Sequence, residues 1–298
     1  MLSGKGQVKC GNFSGAAPFH RVYNRPVKMP RPIYLPTDMT DAMQPSLTPC
    51  CNHTDTSADH DFLTALTDDL DGLIRLYDRE LDATTLAALK AVGFPLNLGL
   101  LPDAGETLQG FGALRQWLLA LPETAATLDG LAADYAGLWL NGGVSPYESV
   151  WLDEDHLTCQ QPMFALRALY ARHGLKVADW RQRYDDHLVL QLQFIRHLLR
   201  QPVLDAALLA DLIDEHLGYW LPDFAARVSQ QADTPLYAGL GQITLFWLTT
   251  LRQWLADIHA RPLPDQESLA ARIRKKQMKP AVPAMPIKFM PGTGGPSW

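Results

Sequence analysis

Cysteine is scarce in this chain. Four residues (Cys10, Cys50, Cys51 and Cys159) among 298 are too few and too scattered for a disulfide framework. Long apolar runs are missing too: stretches such as Ile243–Leu251 fall well short of the ~20 residues that cross a bilayer. No charged segment followed by an apolar stretch opens the chain, so a secretory signal is not expected and the cytoplasm is the expected compartment. Alternating runs of strand type are nearly absent, Val150–Leu152 being the one short candidate. Catalytic signatures are absent as well, with no nucleophile elbow, P-loop, H-E-x-x-H or paired C-x-x-C. Gly239-Leu240-Gly241 lacks a preceding strand and does not read as a nucleotide loop. Cys50-Cys51-Asn52-His53 has donors for a soft metal, but adjacent cysteines do not chelate one ion comfortably. Neither an enzyme nor a bound cofactor or metal is expected.

Charge is present but unevenly placed. The net −6 combines two basic ends with an acidic body. Residues 1–37 hold six basic residues and no acid, and 271–298 hold another six and no acid. The middle, 38–270, keeps 14 basic residues against all 32 acids, a net of −18. Such a body repels nucleic acid and attracts cationic partners.

The ends and the middle also differ in pattern. Residues 1–58 are rich in Pro, Gly, Ser and Thr without apolar period, and Met39 and Met43, each a candidate start, sit where the composition changes. Five prolines from Pro280 to Pro296 forbid a long helix in the tail. Between them the apolar period is three to four: Leu63, Leu66, Leu70, Leu73, Ile74 and Tyr77; Leu128, Leu131, Tyr135, Leu138 and Trp139; Leu188, Leu192, Ile195 and Leu199; Leu245, Leu248, Leu251, Trp254 and Ile258. Stops are expected at Gly93 with Pro95, Gly110, Gly142 with Gly143, Gly174, Pro202 and Pro235. The reading is an all-α fold: one domain of about ten helices over 59–270, flanked by a flexible basic extension (1–58) and a basic Pro-rich tail (271–298).

Two polar clusters stand out. Asp185-Asp186-His187 immediately precedes the apolar period at Leu188. Either acid would make a good N-cap, and the alternative is a polar handle at a groove. Asp214-Glu215-His216 lies in a helix, where consecutive residues point about 100° apart. That cluster reads as a solvated face with one packed histidine.

Ala133-Asp134-Tyr135-Ala136-Gly137-Leu138-Trp139-Leu140, followed by Ser145-Pro146-Tyr147-Glu148-Ser149-Val150-Trp151-Leu152-Asp153, resembles the central signature of the TorD/DmsD family of redox-enzyme maturation chaperones. There a helix ending in an E/D-Y-x-x-L-F-like run leads to a P-Y/W-x-S-V-Y/W-L loop. Phe164 to Tyr170 with Gly174-Leu175, Asp186-His187 with the helix after it, and Glu215 to Pro222 resemble further family segments in the same order. Arg183 and Tyr184 stand where the family's E-P-x-D-H motif has E and P, and Gln160 stands where a glycine is expected.

The resemblance implies an all-helical cytoplasmic chaperone. It would bind the twin-arginine signal peptide of a molybdenum-cofactor oxidoreductase of the DMSO or TMAO reductase type until the cofactor is inserted. The partners implied are that leader and the catalytic subunit behind it, with contact to the export machinery and a monomer or homodimer both open. A binder of a cationic, greasy leader needs a groove and an acidic rim. The expected groove is Leu138, Trp139, Pro146, Tyr147, Ser149, Trp151, Asp186 and His187, with Pro146 and Tyr147 on a surface loop. The expected rim is Glu148, Asp153, Glu154 and Asp185. The rival from another class is a helical adaptor that docks a folded partner or an anionic membrane through its basic tails.

Overall fold

The computed structural model describes residues 56–152 and 155–277. Met39, Met43, Cys50, Cys51, His53, Asp153, Glu154, the basic N-terminal extension and the tail from Lys279 lie outside the described residues. Among the described residues eleven α-helices run in the order α1 (Thr56–Asp78), α2 (Ala83–Val92), α3 (Glu106–Ala120), α4 (Ala125–Tyr135), α5 (Glu148–Leu152), α6 (Gln161–Arg172), α7 (Leu188–Leu199), α8 (Ala206–Leu212), α9 (Leu221–Gln231), α10 (Pro235–Ile258) and α11 (Gln266–Gln277). Two π-helical turns, Ala136–Leu140 after α4 and Ile213–Leu217 after α8, continue their helices. Among the described residues there is no strand, so the fold is all-α as expected, and no helix is long and apolar enough to cross a membrane.

The apolar period dictates the packing. In α10, Leu236, Leu240, Ile243, Trp247, Leu248, Leu251 and Leu255 are all buried, which makes this helix the centre of the core. It packs on α9 and α3, while α1 packs on α7. Gly241 is where α10 meets α9: a Cβ there would lie 2.9 Å from the Ala225 Cα. Gly241→Ala is therefore expected to force the helices apart and destabilise the fold by about 1–3 kcal/mol, measured by urea unfolding.

Buried polar groups fix the helix ends. Asp134, on α4, accepts from the backbone N–H groups of Asp233 and Thr234 and from the Thr234 hydroxyl, so it caps the start of α10. Pro235 stands at the first position of that helix, where its missing N–H costs nothing. Asp69 accepts from the Trp247 indole and the Gly99 N–H. Burial outweighs these bonds and pushes its pKa up to about 6.

Several sequence expectations need correction. Gly110 does not stop a helix; it lies inside α3, with open space where a Cβ would be. Val150–Leu152 is not strand but the end of the short α5. Asp214-Glu215-His216 is not a solvated face: Asp214 forms a buried bidentate pair with Arg252, Glu215 pairs with Arg272, and His216 reaches Glu148. The π turn that carries all three aims each at a different neighbour.

Candidate functional site

The site is built where two irregular segments meet. One is the elbow between the first π turn and α5. Gly143 turns the chain sharply there, its Cα so near the π turn that a Cβ would lie 2.5 Å from the Gly137 carbonyl. The Val144 N–H then bonds the Leu138 carbonyl. The other segment is the strap, residues 173–187, which leaves α6 through Gly174 (φ +69°) and enters α7.

Backbone bonds zip elbow to strap. The Leu188 N–H donates to the Pro146 carbonyl (2.8 Å) and the Glu148 N–H to the Asp186 carbonyl (3.1 Å). Tyr147 and His187 form an isolated antiparallel bridge. The Asp186 carboxylate adds a third tie, accepting from the Ser149 N–H at 2.9 Å. The residue that caps α7 is His187, not either acid: its Nδ1 accepts from the Val189 N–H. That bond leaves the ring proton on Nε2. Burial, and then the charge of Arg183, push the His187 pKa down to about 3, so the ring is neutral at pH 7.

A cavity of about 270 Å³ opens at this junction, lined by Tyr77, Tyr135, Trp139, Leu140, Pro146, Tyr147, Gln182, Arg183 and His187. Its walls are aromatic. Tyr147 stands edge-on to His187, ring centres 4.9 Å apart, and the Trp139 ring stacks on Phe224 at 5.7 Å with its edge toward Tyr77. Arg183 supplies the cavity's charge and is held by Asp78, the last residue of α1, at 2.5 Å. Partial burial raises the Asp78 pKa, but the bond and charge of Arg183 outweigh this and hold it below the ordinary range. A larger cavity of about 700 Å³ adjoins across the strap, with Gln182 and Arg183 common to both walls.

Beneath the elbow lies a buried polar cluster. Glu148, 1% exposed, accepts from Gln191 Nε2 at 3.1 Å and meets His216 Nδ1 at 2.9 Å. Gln191 also donates to the Asp186 carbonyl. Burial pushes the Glu148 carboxyl up against the opposing pull of His216, and it likewise pushes up Asp186. The elbow, the start of α7 and the second π turn thus share one polar knot.

Of the expected groove residues, Trp139, Pro146, Tyr147 and His187 line the cavity. The other four do not. Leu138 is buried in the core. Trp151 packs on Trp220 and Phe224 and donates to the Ser145 carbonyl. Ser149 and Asp186 are fully buried and tie the elbow down. Pro146, expected on the surface, is buried, while Tyr147 is half-buried. The expected rim is corrected too: Glu148 is buried in the knot, and Asp185 is buried and paired with Arg167 at 2.7 Å. Sequence reasoning missed Tyr77, Tyr135, Leu140, Gln182 and Arg183. Tyr77 reads only as a member of an apolar helix face and Tyr135 stands in the family-like signature but outside the expected groove, whereas Arg183 stands out as a departure from the family motif.

A family profile described as nitrate reductase delta subunit matches residues 105–226, which contain the elbow, the strap and the knot. The chaperone protein TorD of Vibrio cholerae is 35% identical over 130 residues, 40% of this chain and 59% of the relative. The TorD of Shewanella piezotolerans is 28% identical over 194 residues, 61% of this chain and 88% of that protein. The probable Tat proofreading chaperone DmsD of Haemophilus influenzae is 26% identical over 114 residues, 38% and 53% of the two chains. The described residues are all-helical, and the relatives they match are named as chaperones. Over these stretches the chain is similar to proteins named as TorD and DmsD chaperones. It spans 59% of the length of the Vibrio relative.

Proposed function

We propose that this chain is a maturation chaperone that holds the twin-arginine leader of a molybdenum-cofactor oxidoreductase in the cavity between elbow and strap, delaying export until the cofactor is in place. The observation that carries this reading is the aromatic cavity where the Asp134–Leu140 run, the Pro146-Tyr147 elbow and His187 meet. The acidic body supports attraction of a basic leader.

Magnitudes favour the aromatic walls over surface charge. Exposed ion pairs contribute about 0–1 kcal/mol each. Apolar burial contributes ~25 cal/mol per Å², so covering a few hundred Å² of leader gives several kcal/mol, offset by the ordering of a flexible peptide. A micromolar complex needs about −8 kcal/mol. The cavity walls therefore supply most of the affinity, and the acidic field supplies on-rate.

The test uses cavity residues that are not fully buried. Leu140 lines the cavity and is 66% exposed, and Tyr147 is half-buried. Leu140→Ser and Tyr147→Ala are each expected to weaken binding of a twin-arginine leader peptide by roughly tenfold or more, about 1.4 kcal/mol. Their melting curves should stay close to that of the parent. Unchanged affinity in both, measured by calorimetric titration, contradicts the assignment. Loss of binding only on deleting 1–42 and 279–298 would favour the adaptor acting through its tails.

A further inference from the structure

The proposed leader cavity is not neutral. Its walls carry four aromatic side chains, Tyr77, Tyr135, Trp139 and Tyr147, and one guanidinium, that of Arg183. His187, neutral by burial, adds no second charge. Such a box suits a planar cation, because a guanidinium stacks on aromatic faces and is weakly hydrated. Yet a second cation entering beside Arg183 would be repelled.

We infer that Arg183 is an internal occupant of the cavity, and that an incoming client arginine replaces it on Asp78. This rests on the leader reading above and deepens it, making Asp78 and Arg183 the residues that set selectivity for arginine.

Three observations support the exchange. First, the Arg183 guanidinium lines the cavity and also touches Asp78, so that carboxylate lies within one guanidinium of the space a client would fill. Second, the pair is accessible: the Arg183 and Asp78 side chains are 33% and 23% exposed. Arg79 holds the other Asp78 oxygen at 3.2 Å, so a swap at Oδ1 leaves the carboxylate anchored. Third, a released Arg183 has somewhere to go. It already forms part of the wall of the 700 Å³ cavity, where Asp179 offers another carboxylate. Trading one guanidinium for another on the same acid keeps the pairing, whereas a lysine brings a compact, strongly hydrated point charge without the planar fork.

The experiment is fluorescence anisotropy with a synthetic peptide of two consecutive arginines followed by an apolar stretch, and with its twin-lysine counterpart. A competitor that fills the site nine-tenths of the time lowers apparent affinity about tenfold. Arg183→Ala is therefore expected to bind the twin-arginine peptide on the order of tenfold tighter than the parent. Asp78→Asn is expected to bind it at least roughly tenfold more weakly, and to lose the preference over twin-lysine. Should Arg183→Ala fold poorly, Arg183→Gln keeps the apolar stem, removes the charge and reads the same exchange. A peptide that binds the parent and the Arg183 variant alike, or Asp78→Asn as well as the parent, overturns the exchange and leaves the leader reading standing. A peptide that binds none of the proteins removes both.

Discussion

Glu148→Ala is expected to destabilise the fold by about 3–5 kcal/mol, from two lost buried hydrogen-bond contacts together with the space the side chain vacates. For a helical domain of this size that lowers the melting temperature by roughly 10 °C. The cause is the knot beneath the elbow. Glu148 is 1% exposed and meets both Gln191 Nε2 and His216 Nδ1. Truncation removes both contacts at once and leaves a cavity where the side chain was. Glu148→Gln keeps the shape and one acceptor, so it should cost only about 1–2 kcal/mol. Thermal melts followed by circular dichroism check both values. An alanine variant within 1 kcal/mol of the parent would show that the knot holds nothing together. The elbow that shapes the cavity hangs on this knot, so the same variant should lose leader binding in proportion to its unfolding, unlike Tyr147→Ala.

The second large effect is a loss of stability in mild acid. His187 has a folded pKa of about 3 against an ordinary 6.5. Below pH 6.5 the unfolded chain takes up a proton there that the folded chain does not, so stability falls as pH falls. At pH 5 the loss from this residue is about 2 kcal/mol, and each further unit adds about 1.4 kcal/mol until pH nears the folded value. Above pH 6.5 the contribution is complete and flat. Asp69, Glu148 and Asp186 work in the opposite sense. Burial raises their pKa values, so the folded chain holds protons that the unfolded chain has released, and acidification through their range adds stability. A comparison with His187→Asn separates the terms, because asparagine also caps a helix but does not titrate. Urea unfolding of both proteins from pH 7.5 to 5 should give curves that diverge below pH 6.5, the variant being the flatter. Parallel curves would mean that His187 is not buried and neutral.

Much of the fold was legible because burial follows a local period. Leu188, Leu192, Ile195 and Leu199 announced α7, and all four are buried in it. What failed was the geometry of irregular pieces. Pro146 and Tyr147, shortly after Gly142-Gly143, read as a surface loop with Glu148 on the rim. Yet Glu148 is buried, because its partners Gln191 and His216 come from 43 and 68 residues away. No local pattern carries that. Asp186 was a plausible cap by position, but the helix takes its cap from the His187 ring, which frees Asp186 to reach Ser149. Gly110 shows the limit of punctuation: a glycine with nothing near its missing Cβ is tolerated inside α3. The aromatic wall was half visible. Trp139 and Tyr147 came from the family-like segments, while Tyr77 joins them only through the packing of α1 beside the elbow.

The central claim is that the leader sits between elbow and strap. A leader peptide with a photoreactive benzoylphenylalanine directly after its two arginines, crosslinked to the full chain and mapped by mass spectrometry, tests it most directly. The expected crosslinks fall on Tyr77, Trp139, Leu140 and Tyr147. Crosslinks confined to residues 1–55, to 278–298 or to helix faces away from these four would contradict it.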